Sequence, residues 1–181
     1  MVGIDIVEQT LKLNQERVKL EGLSNLIFVS YDGVELPFES FEFDLVVTRY
    51  SLHHFPAIDQ TFKEMKRVLK KTGHLFLSDP APKDCDQERF VDAYMQMKKD
   101  GHIKFYTKSE WVDLAKKNGM ELEKSFQTKV RFPRKKETSS KIEAILKRYD
   151  ERITEAYELE FVGDEIYITE PVNNLLFQCR L

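Results

Sequence analysis

The chain has 181 residues, the length of one domain with a sizeable core, and its 41% apolar and 33% charged residues are ordinary for a globular protein. Its net charge of −3 and the lack of a long apolar run give no reason to expect nucleic acid as a partner, a membrane span or a signal peptide. The two cysteines, Cys85 and Cys179, form no CxxC motif, which favours reduced thiols in a cytoplasmic protein.

The first half of the chain alternates between short apolar runs and helical patterns. The predicted strands are 2–7, 26–29, 44–48 and 75–78. Helices are predicted at 8–21 and 57–71, and Gly22 and Gly73 are placed to end them. Strands that alternate with helices predict βαβ units and a parallel sheet.

The second half is less regular. Thr107-x-x-Glu110 is a capping box that begins a helix ending at Gly119. The remaining predictions are a helix at 87–99, a strand at 120–130, a solvated polar loop at 131–140, a helix through 142–153, and short strands at 166–168 and 175–177. No internal repeat or linker interrupts the chain, so we expect a single domain, 1–181.

Acidic residues follow two of the predicted strands. Asp5 ends the first strand, where an acid of a doubly wound sheet can accept hydrogen bonds from ribose hydroxyls, or can simply favour the start of the next helix. Asp32 and Gly33 follow the second strand. A carboxylate there can accept from an amine such as that of adenine, but an ordinary Asp-Gly turn explains the segment better when it is taken by itself. The residues alone leave both questions open.

The third strand is followed by a loop with two histidines, His53 and His54. Adjacent histidines cannot comfortably serve one metal ion, and His74 and His102 are distant in sequence, so no metal site is expected. The simplest interpretation is that one histidine is packed and the other exposed. We assign no catalytic residue from the sequence.

Taken in order, these segments resemble the class I S-adenosylmethionine-dependent methyltransferases, and most of all the subgroup that includes quinone-biosynthesis C-methyltransferases. The resemblance covers residues 1–82 and is looser from Gln87 onward. Its motifs are Gly-Ile-Asp-Ile, Asp-Gly-x-x-Leu-Pro-Phe, Phe-Asp-Leu-Val-Val-x-Arg-x-x-Leu-His-His-Phe and Glu-x-x-Arg-Val-Leu-Lys-x-x-Gly.

The resemblance implies an α/β, Rossmann-like open sheet that is mostly parallel, with an antiparallel last strand. Residues 1–82 would form the cofactor-binding core, and residues 83–181 would supply substrate-side helices and the C-terminal strands. The cofactor would be S-adenosylmethionine, with its ribose on Asp5, its adenine along Ile6 and its adenine amine on Asp32. The other implied cofactor-binding residues are Gly33, through its backbone, and Thr48 and Arg49, near the methionine end.

The sequence departs from the family at its start. A first strand and a Gly-x-Gly-x-Gly loop should precede the strand of Asp5, but the seven glycines form no such cluster, and the chain opens directly in an apolar run. We therefore expect an N-terminal truncation in which the first strand is missing. The strands of Asp5 and Asp44 should then close directly on each other, or accept a strand from a second copy in a homodimer.

The implied function is methyl transfer to a small-molecule acceptor, impaired in this chain by the missing loop. Such a transfer needs alignment and exclusion of water more than a nucleophile, and His54 is the nearest candidate for a general base. The alternative is a non-enzymatic fragment or partner module with the same fold. A nicotinamide dehydrogenase is a distant third, because it would need the same glycine turn but no acid before Leu-Pro-Phe.

Overall fold

The computed structural model describes residues 1–98, 100–135 and 139–180, without the side chains of 134, 135, 139 and 140. Its strands are β1 (Val2–Asp5), β2 (Ile27–Ser30), β3 (Phe43–Arg49), β4 (Leu69–Pro80), β5 (Met120–Lys135), β6 (Glu160–Val162) and β7 (Glu165–Cys179). Its helices are α1 (Glu8–Leu20), α2 (Ile58–Val68), α3 (Phe90–Met95), α4 (Lys108–Lys117), α5 (Ser139–Leu146) and α6 (Glu151–Ala156), and a 3-10 turn spans Leu52–His54. None of the helices in these ranges is long and apolar enough to cross a membrane.

The strands form two sheets. β1 and β2 are a parallel pair, and the second sheet has the order β3-β4-β7-β5, with β6 beside β7. β3 runs parallel to β4, whereas β7 runs antiparallel to both β4 and β5. The antiparallel last strand and its neighbour near residues 120–130 were both predicted, and both are confirmed. The sheet is therefore not the all-parallel one that would have favoured a dehydrogenase.

β1 and β3 do not pair, and the expectation that they close directly on each other is wrong. That expectation assumed buried edges, where an unsatisfied backbone group costs about 1–3 kcal/mol. Both strands are in fact open to solvent: Ile4 is 37% exposed on β1, and Leu45 and Val47 are 51% and 60% exposed on β3. Water can bond to the backbone groups of these edges, so the cost that was expected to drive direct pairing of β1 with β3 is not incurred.

β4 begins as soon as α2 ends, six residues earlier than the predicted strand. Gly73 therefore lies within β4 and does not end a helix. A Cβ atom at this position would lie 3.0 Å from the carbonyl oxygen of Lys70 and 3.2 Å from that of Asp44. Glycine fits here because β3 and β4 approach closely at a bulge, and a Cβ atom would have tight contacts with both carbonyl oxygens.

The predicted polar loop at 131–140 is wrong for its first five residues, which continue β5 to Lys135, and for its last two, which begin α5. Residues 136–138 lie outside the described residues. Pairing with β7 continues from Arg131 opposite Thr169 to Lys135 opposite Glu165. The Arg131 guanidinium also donates to Oγ1 of Thr169 at 2.8 Å. These cross-strand contacts stabilise a strand in a segment whose polar composition had predicted a loop. β7 is correspondingly one strand, not two short ones.

Two helix predictions also needed correction. The helix predicted at 87–99 contracts to the six residues of α3, and its last position lies outside the described residues. The helix predicted through 142–153 is divided into α5 and α6, because Asp150 accepts the backbone N–H of Arg152 and begins α6 as its N-cap.

The buried side chains form two clusters. In the first, Trp111 of α4 stacks on Phe62 of α2 with ring centroids 5.7 Å apart, above buried leucines of β4 and β7. In the second, Phe90 of α3 packs with Tyr157 and with apolar residues of α5, α6 and β7. The first cluster holds β4 and the turn after β3 in place, and the candidate site lies at that turn.

Candidate cofactor cleft and its histidine wall

A cleft of about 620 Å³ separates β1 from β3. Four of the predicted cofactor-binding residues line it, namely Asp5 and Ile6 after β1 and Thr48 and Arg49 at the end of β3. The carboxyl ends of the two strands thus open onto one crevice, as expected for an open α/β sheet.

Asp5 has a local role as well as a place in the cleft. Its Oδ1 accepts the backbone N–H of Val7 at 2.8 Å, just before α1. The bond orients the carboxylate at the end of β1, where it is half-buried. The hydrogen bond gives Asp5 a local role just before α1, and its binding of ribose stays a prediction.

Asp32 and Gly33 lie beside the cleft and are not among its lining residues. Oδ1 of Asp32 accepts the backbone N–H groups of Val34 and Glu35 at 2.8 and 2.9 Å, and these bonds hold the pKa of the carboxyl below its usual value. Gly33 has a φ of +85°, and a Cβ there would lie 3.6 Å from Cγ2 of Ile6. The segment is the ordinary Asp-Gly turn, but it packs against the residue that follows Asp5.

The placement of Tyr31 shows that the two acids share one end of the sheet. Tyr31 lines the cleft, and burial first, then the charges of Asp32 and Asp5, raise the pKa of its phenol. β1 and β2 are parallel, with Asp5 opposite Ser30, so both carboxylates follow the carboxyl ends of neighbouring strands.

Arg67 anchors the segment after Asp32, a role that the sequence analysis missed. Its guanidinium donates to the carbonyl oxygens of Leu36 and Phe38 at 2.8 and 2.7 Å and to both carboxylate oxygens of Glu64. Glu64 in turn accepts the N–H of Leu36 at 2.9 Å. Leu36 lines the cleft, so this network positions one wall of it. The Glu-x-x-Arg spacing on a helix was the available signal.

Tyr50 turns the chain out of β3. Its φ of 51° lies in the left-handed region, which side chains other than glycine rarely adopt. The turn is stabilised by a 2.9 Å bond from its N–H to the carbonyl of Ser78, and the Arg49 guanidinium lies 4.5 Å from the centre of its ring. A strained residue at the carboxyl end of a strand is typical of a functional site.

Asp79 was also missed, although it lies at the carboxyl end of β4, one residue before the last, much as Asp5 lies at the end of β1. Its carboxylate is 1% exposed and lies 3.0 and 3.1 Å from Nδ1 of His53. The N–H of Ser51 donates to the same carboxylate at 3.0 Å. Asp79 therefore binds the turn after β3 to the end of β4.

His54 lines the cleft, whereas His53 is buried behind it. The two rings lie 4.1 Å apart, and the ring of His102 lies 5.5 Å from His53. Burial and the neighbouring His53 lower the pKa of His54, and its Nδ1 is buried with no hydrogen-bond partner in the described part of the chain. Within those same residues, no three side chains of His, Cys, Asp or Glu are grouped to hold a metal ion.

Residues 1–147 match the model of a family described as methyltransferase domain. The uncharacterized methyltransferase YcgJ of Bacillus subtilis is 29% identical over 111 residues, which are 61% of this chain and 44% of YcgJ. Demethylmenaquinone methyltransferase of Listeria welshimeri is 33% identical over 110 residues, 60% of this chain and 47% of that protein. The matched region spans about half the length of these curated relatives.

Solved structures share the fold over nearly the whole chain. YcgJ superposes with a TM-score of 0.83 at 20% identity, over 99% of this chain and 82% of its own. The Bacillus halodurans protein BH2331 gives a TM-score of 0.85 at 22% identity, over 99% and 83%. The chain therefore belongs to the methyltransferase domain family, and it has the Rossmann-like fold of S-adenosylmethionine-dependent methyltransferases.

Proposed function

We propose that the cleft between β1 and β3 binds S-adenosylmethionine and that this domain transfers the methyl group to a small-molecule acceptor. One observation carries the proposal: the ends of β1 and β3 open onto a single cleft lined by Asp5, Ile6, Thr48 and Arg49. A carboxylate suits a ribose diol, an exposed isoleucine suits the face of adenine, and a polar end suits an amino-acid group. The available side chains therefore fit this cofactor.

The cofactor supplies an activated methyl group on a sulfonium centre. The chain's own contribution is to hold the reactants close and aligned and to exclude water, which is where the barrier of an in-line displacement is lowered. The Listeria relative is named for a demethylmenaquinone, and a quinone-like aromatic acceptor is therefore the first class to test.

Binding to this 181-residue chain should be weak, since no Gly-x-Gly-x-Gly loop is present in it. Such a loop lets backbone N–H groups bond to the methionine carboxylate, each charge-assisted bond contributing roughly 1.5–3 kcal/mol. Losing about two of them should weaken binding roughly a hundredfold to twenty-thousandfold.

Titration calorimetry tests both parts of the proposal. Methylthioadenosine, which has only the nucleoside end, should bind almost as well as S-adenosylmethionine, because Asp5 and Ile6 remain. Micromolar or tighter binding of S-adenosylmethionine would contradict the impairment. No binding of either compound would contradict the cofactor site.

A second candidate is a non-enzymatic module with the same fold. The unpaired edges of β1 and β3 favour it, because they could accept a strand from another polypeptide, such as a second copy in a homodimer. Failure to bind any nucleoside, together with stable association, would support this candidate. A dehydrogenase is not favoured, since β7 is antiparallel to its neighbours.

A further inference from the structure

The segment 100–104, which precedes α4, is fastened to the 3-10 turn after β3. The carbonyl oxygen of His53 accepts the backbone N–H groups of Ile103 and Lys104, at 2.9 and 3.3 Å. Both sides of this contact reach the cleft, because Asp100 and residues of the turn line it. We call this contact between the segment and the turn the histidine clasp.

Three imidazole rings pack inside the histidine clasp. The ring of His53 lies 4.1 Å from that of His54 and 5.5 Å from that of His102, and the last two are 6.4 Å apart. Nδ1 of His54 is buried and has no hydrogen-bond partner among the described residues. An imidazolium carries an N–H on both nitrogens, so a protonated His54 would have a buried donor without an acceptor.

Two of the three rings have a carboxylate partner. Nδ1 of His53 lies 3.0 Å from Oδ2 of Asp79, at the end of β4. Nε2 of His102 lies 2.9 Å from Oδ1 of Asp92 on α3, and the other oxygen of that carboxylate accepts from Arg89. A positive charge on either ring would therefore lie beside an anion.

His54 differs from both, because no carboxylate is hydrogen-bonded to its ring in the described part of the chain. Burial above all, and then the neighbouring ring of His53, lower the pKa of His54. The backbone of Gly101 and the charge of Asp100 act in the opposite direction and offset only part of this effect. Oδ2 of Asp100 also lies 3.9 Å from Nζ of Lys98. His54 is therefore the ring of the clasp that resists protonation.

We propose that the histidine clasp closes the cleft at neutral pH and is weakened by acid, through protonation of His54. A charge on this ring would lie 4.1 Å from the ring of His53, and release of the segment 100–104 would expose it to water. Release also removes Asp100 from the lining of the cleft. The consequence for ligand binding rests on the proposed cofactor site, whereas the clasp itself does not.

The direction of the pH dependence follows from proton binding. After release, His54 is in water, where an imidazole takes up a proton near about pH 6.5. In the docked clasp the same ring takes up a proton only at lower pH, so the released form binds more protons below about pH 6.5. Acid therefore favours release, by at most about tenfold per pH unit for one proton.

Hydrogen exchange measured by NMR on the full chain tests the clasp directly. The protection factors of the Ile103 and Lys104 N–H groups should fall roughly three- to tenfold from about pH 7 to about pH 5.5. Leu75, in the middle of β4 with a strand on each side, should be more protected at every pH, because its N–H exchanges only on global unfolding. Equal protection at all three positions would mean that the segment is released only by unfolding, and would refute the clasp.

His54→Gln removes the titrating ring, and its protection factors at Ile103 and Lys104 should no longer depend on pH in this range. His74→Gln is the matched control, because His74 also belongs to the sheet but pairs with Glu123, at 3.2 Å, on the surface of β4. This control should behave as the wild type does. The wild-type pH dependence in His54→Gln would overturn the proposal.

Nitrogen NMR of the wild-type imidazoles provides a measurement that depends on no variant. The loss of protection at Ile103 and Lys104 should accompany protonation of His54. A loss that follows protonation of another histidine, or protection that does not change with pH, would overturn the proposal even if His54→Gln alters the fold of the turn.

Methylthioadenosine connects the clasp with the cleft. If the nucleoside binds only the closed cleft, a free concentration of about ten times its Kd should raise the protection of Ile103 and Lys104 roughly tenfold. Binding detected by calorimetry without added protection would show that the clasp does not close the cleft. No binding at pH 7 would refute the proposed cofactor site instead, and hydrogen exchange without ligand would still test the clasp.

Discussion

The hydroxyl of Tyr157 donates a 2.8 Å hydrogen bond to Oδ2 of Asp86, a residue 71 positions earlier in the chain. The same hydroxyl accepts the N–H of Lys83 at 2.9 Å, and the same carboxylate accepts the N–H groups of Phe90 and Val91 at the start of α3. Burial above all, with the Asp86 carboxylate, raises the pKa of Tyr157. This pair joins the segment after β4 to the end of α6.

Tyr157→Phe should therefore lower the free energy of unfolding by about 1–3 kcal/mol, since it removes the acceptor of the Lys83 N–H and one of the donors to the buried Asp86 carboxylate. Denaturant unfolding monitored by circular dichroism measures this. Tyr167→Phe is the control, because its hydroxyl bonds to the partly exposed Glu165 and should cost about 0.5 kcal/mol or less. Equal losses of unfolding free energy in the two variants would show that burial of the hydrogen bond does not determine its contribution to stability.

Arg67→Lys should loosen the segment that Arg67 anchors. A lysine cannot reproduce the guanidinium fork that spans Leu36, Phe38 and Glu64, and we expect a loss of about 1.5–3 kcal/mol. Hydrogen exchange of the backbone N–H groups of Leu36 and Phe38 should be faster in Arg67→Lys than in the wild type. Lys63→Ala, on the same helix, breaks an exposed pair with Asp59 and should cost at most about 1 kcal/mol. Unchanged exchange in Arg67→Lys would refute the anchoring role.

The lowered pKa of His54 has a consequence for stability at acid pH. Because the folded chain resists protonation there, the unfolded chain binds more protons below about pH 6.5, and unfolding free energy should fall as pH drops through that range. In His54→Gln this part of the pH dependence should disappear, whereas His74→Gln should retain it. Unfolding curves between about pH 7 and pH 5 give the slope. An identical slope in wild type and His54→Gln would contradict the prediction.

Self-association is the expected consequence of the open edge of β3. Val47 and Leu45 are more than half exposed there, and an unpaired strand edge favours pairing with another chain. We expect a concentration-dependent homodimer in sedimentation velocity, and Val47→Lys should shift it towards monomer. Val162→Lys changes an equally apolar position, 49% exposed on β6, and should leave the proportion of dimer unchanged. A wild-type chain that stays monomeric at all concentrations would disprove this association.

Asp5→Asn should weaken the binding of methylthioadenosine roughly ten- to hundredfold, since hydrogen bonds to a charged group contribute about 1.5–3 kcal/mol. Asp44→Asn is the control, because Asp44 is an exposed acid near the opposite end of β3 that pairs with Lys70. Calorimetry compares the two variants with wild type. If both bind the nucleoside as wild type does, Asp5 does not hold the ribose.

Local interactions explain which elements could be predicted from the sequence. The capping box is confirmed: Oγ1 of Thr107 accepts the N–H of Glu110 at 3.2 Å, and the Glu110 carboxylate accepts the N–H of Thr107 at 2.8 Å. Both partners lie within four residues, so the pattern contains the whole interaction. β5 beyond Val130 could not be predicted in this way, because its stability comes from a strand whose paired residues lie 30 to 38 positions later.

The same distinction applies to the site. The sequence by itself determined that the strands of Asp5 and Thr48 end at one crevice, because the rule that strand ends meet at a crevice needs only the order of strands and helices. Only the tertiary structure decided that β1 and β3 remain apart, since that depends on how much solvent reaches their edges. It also decided which of the two adjacent histidines, His53 or His54, meets a carboxylate. His53 and Asp79 are 26 residues apart, and their contact depends on the register of β3 on β4, which packing of both strands sets and no short motif encodes.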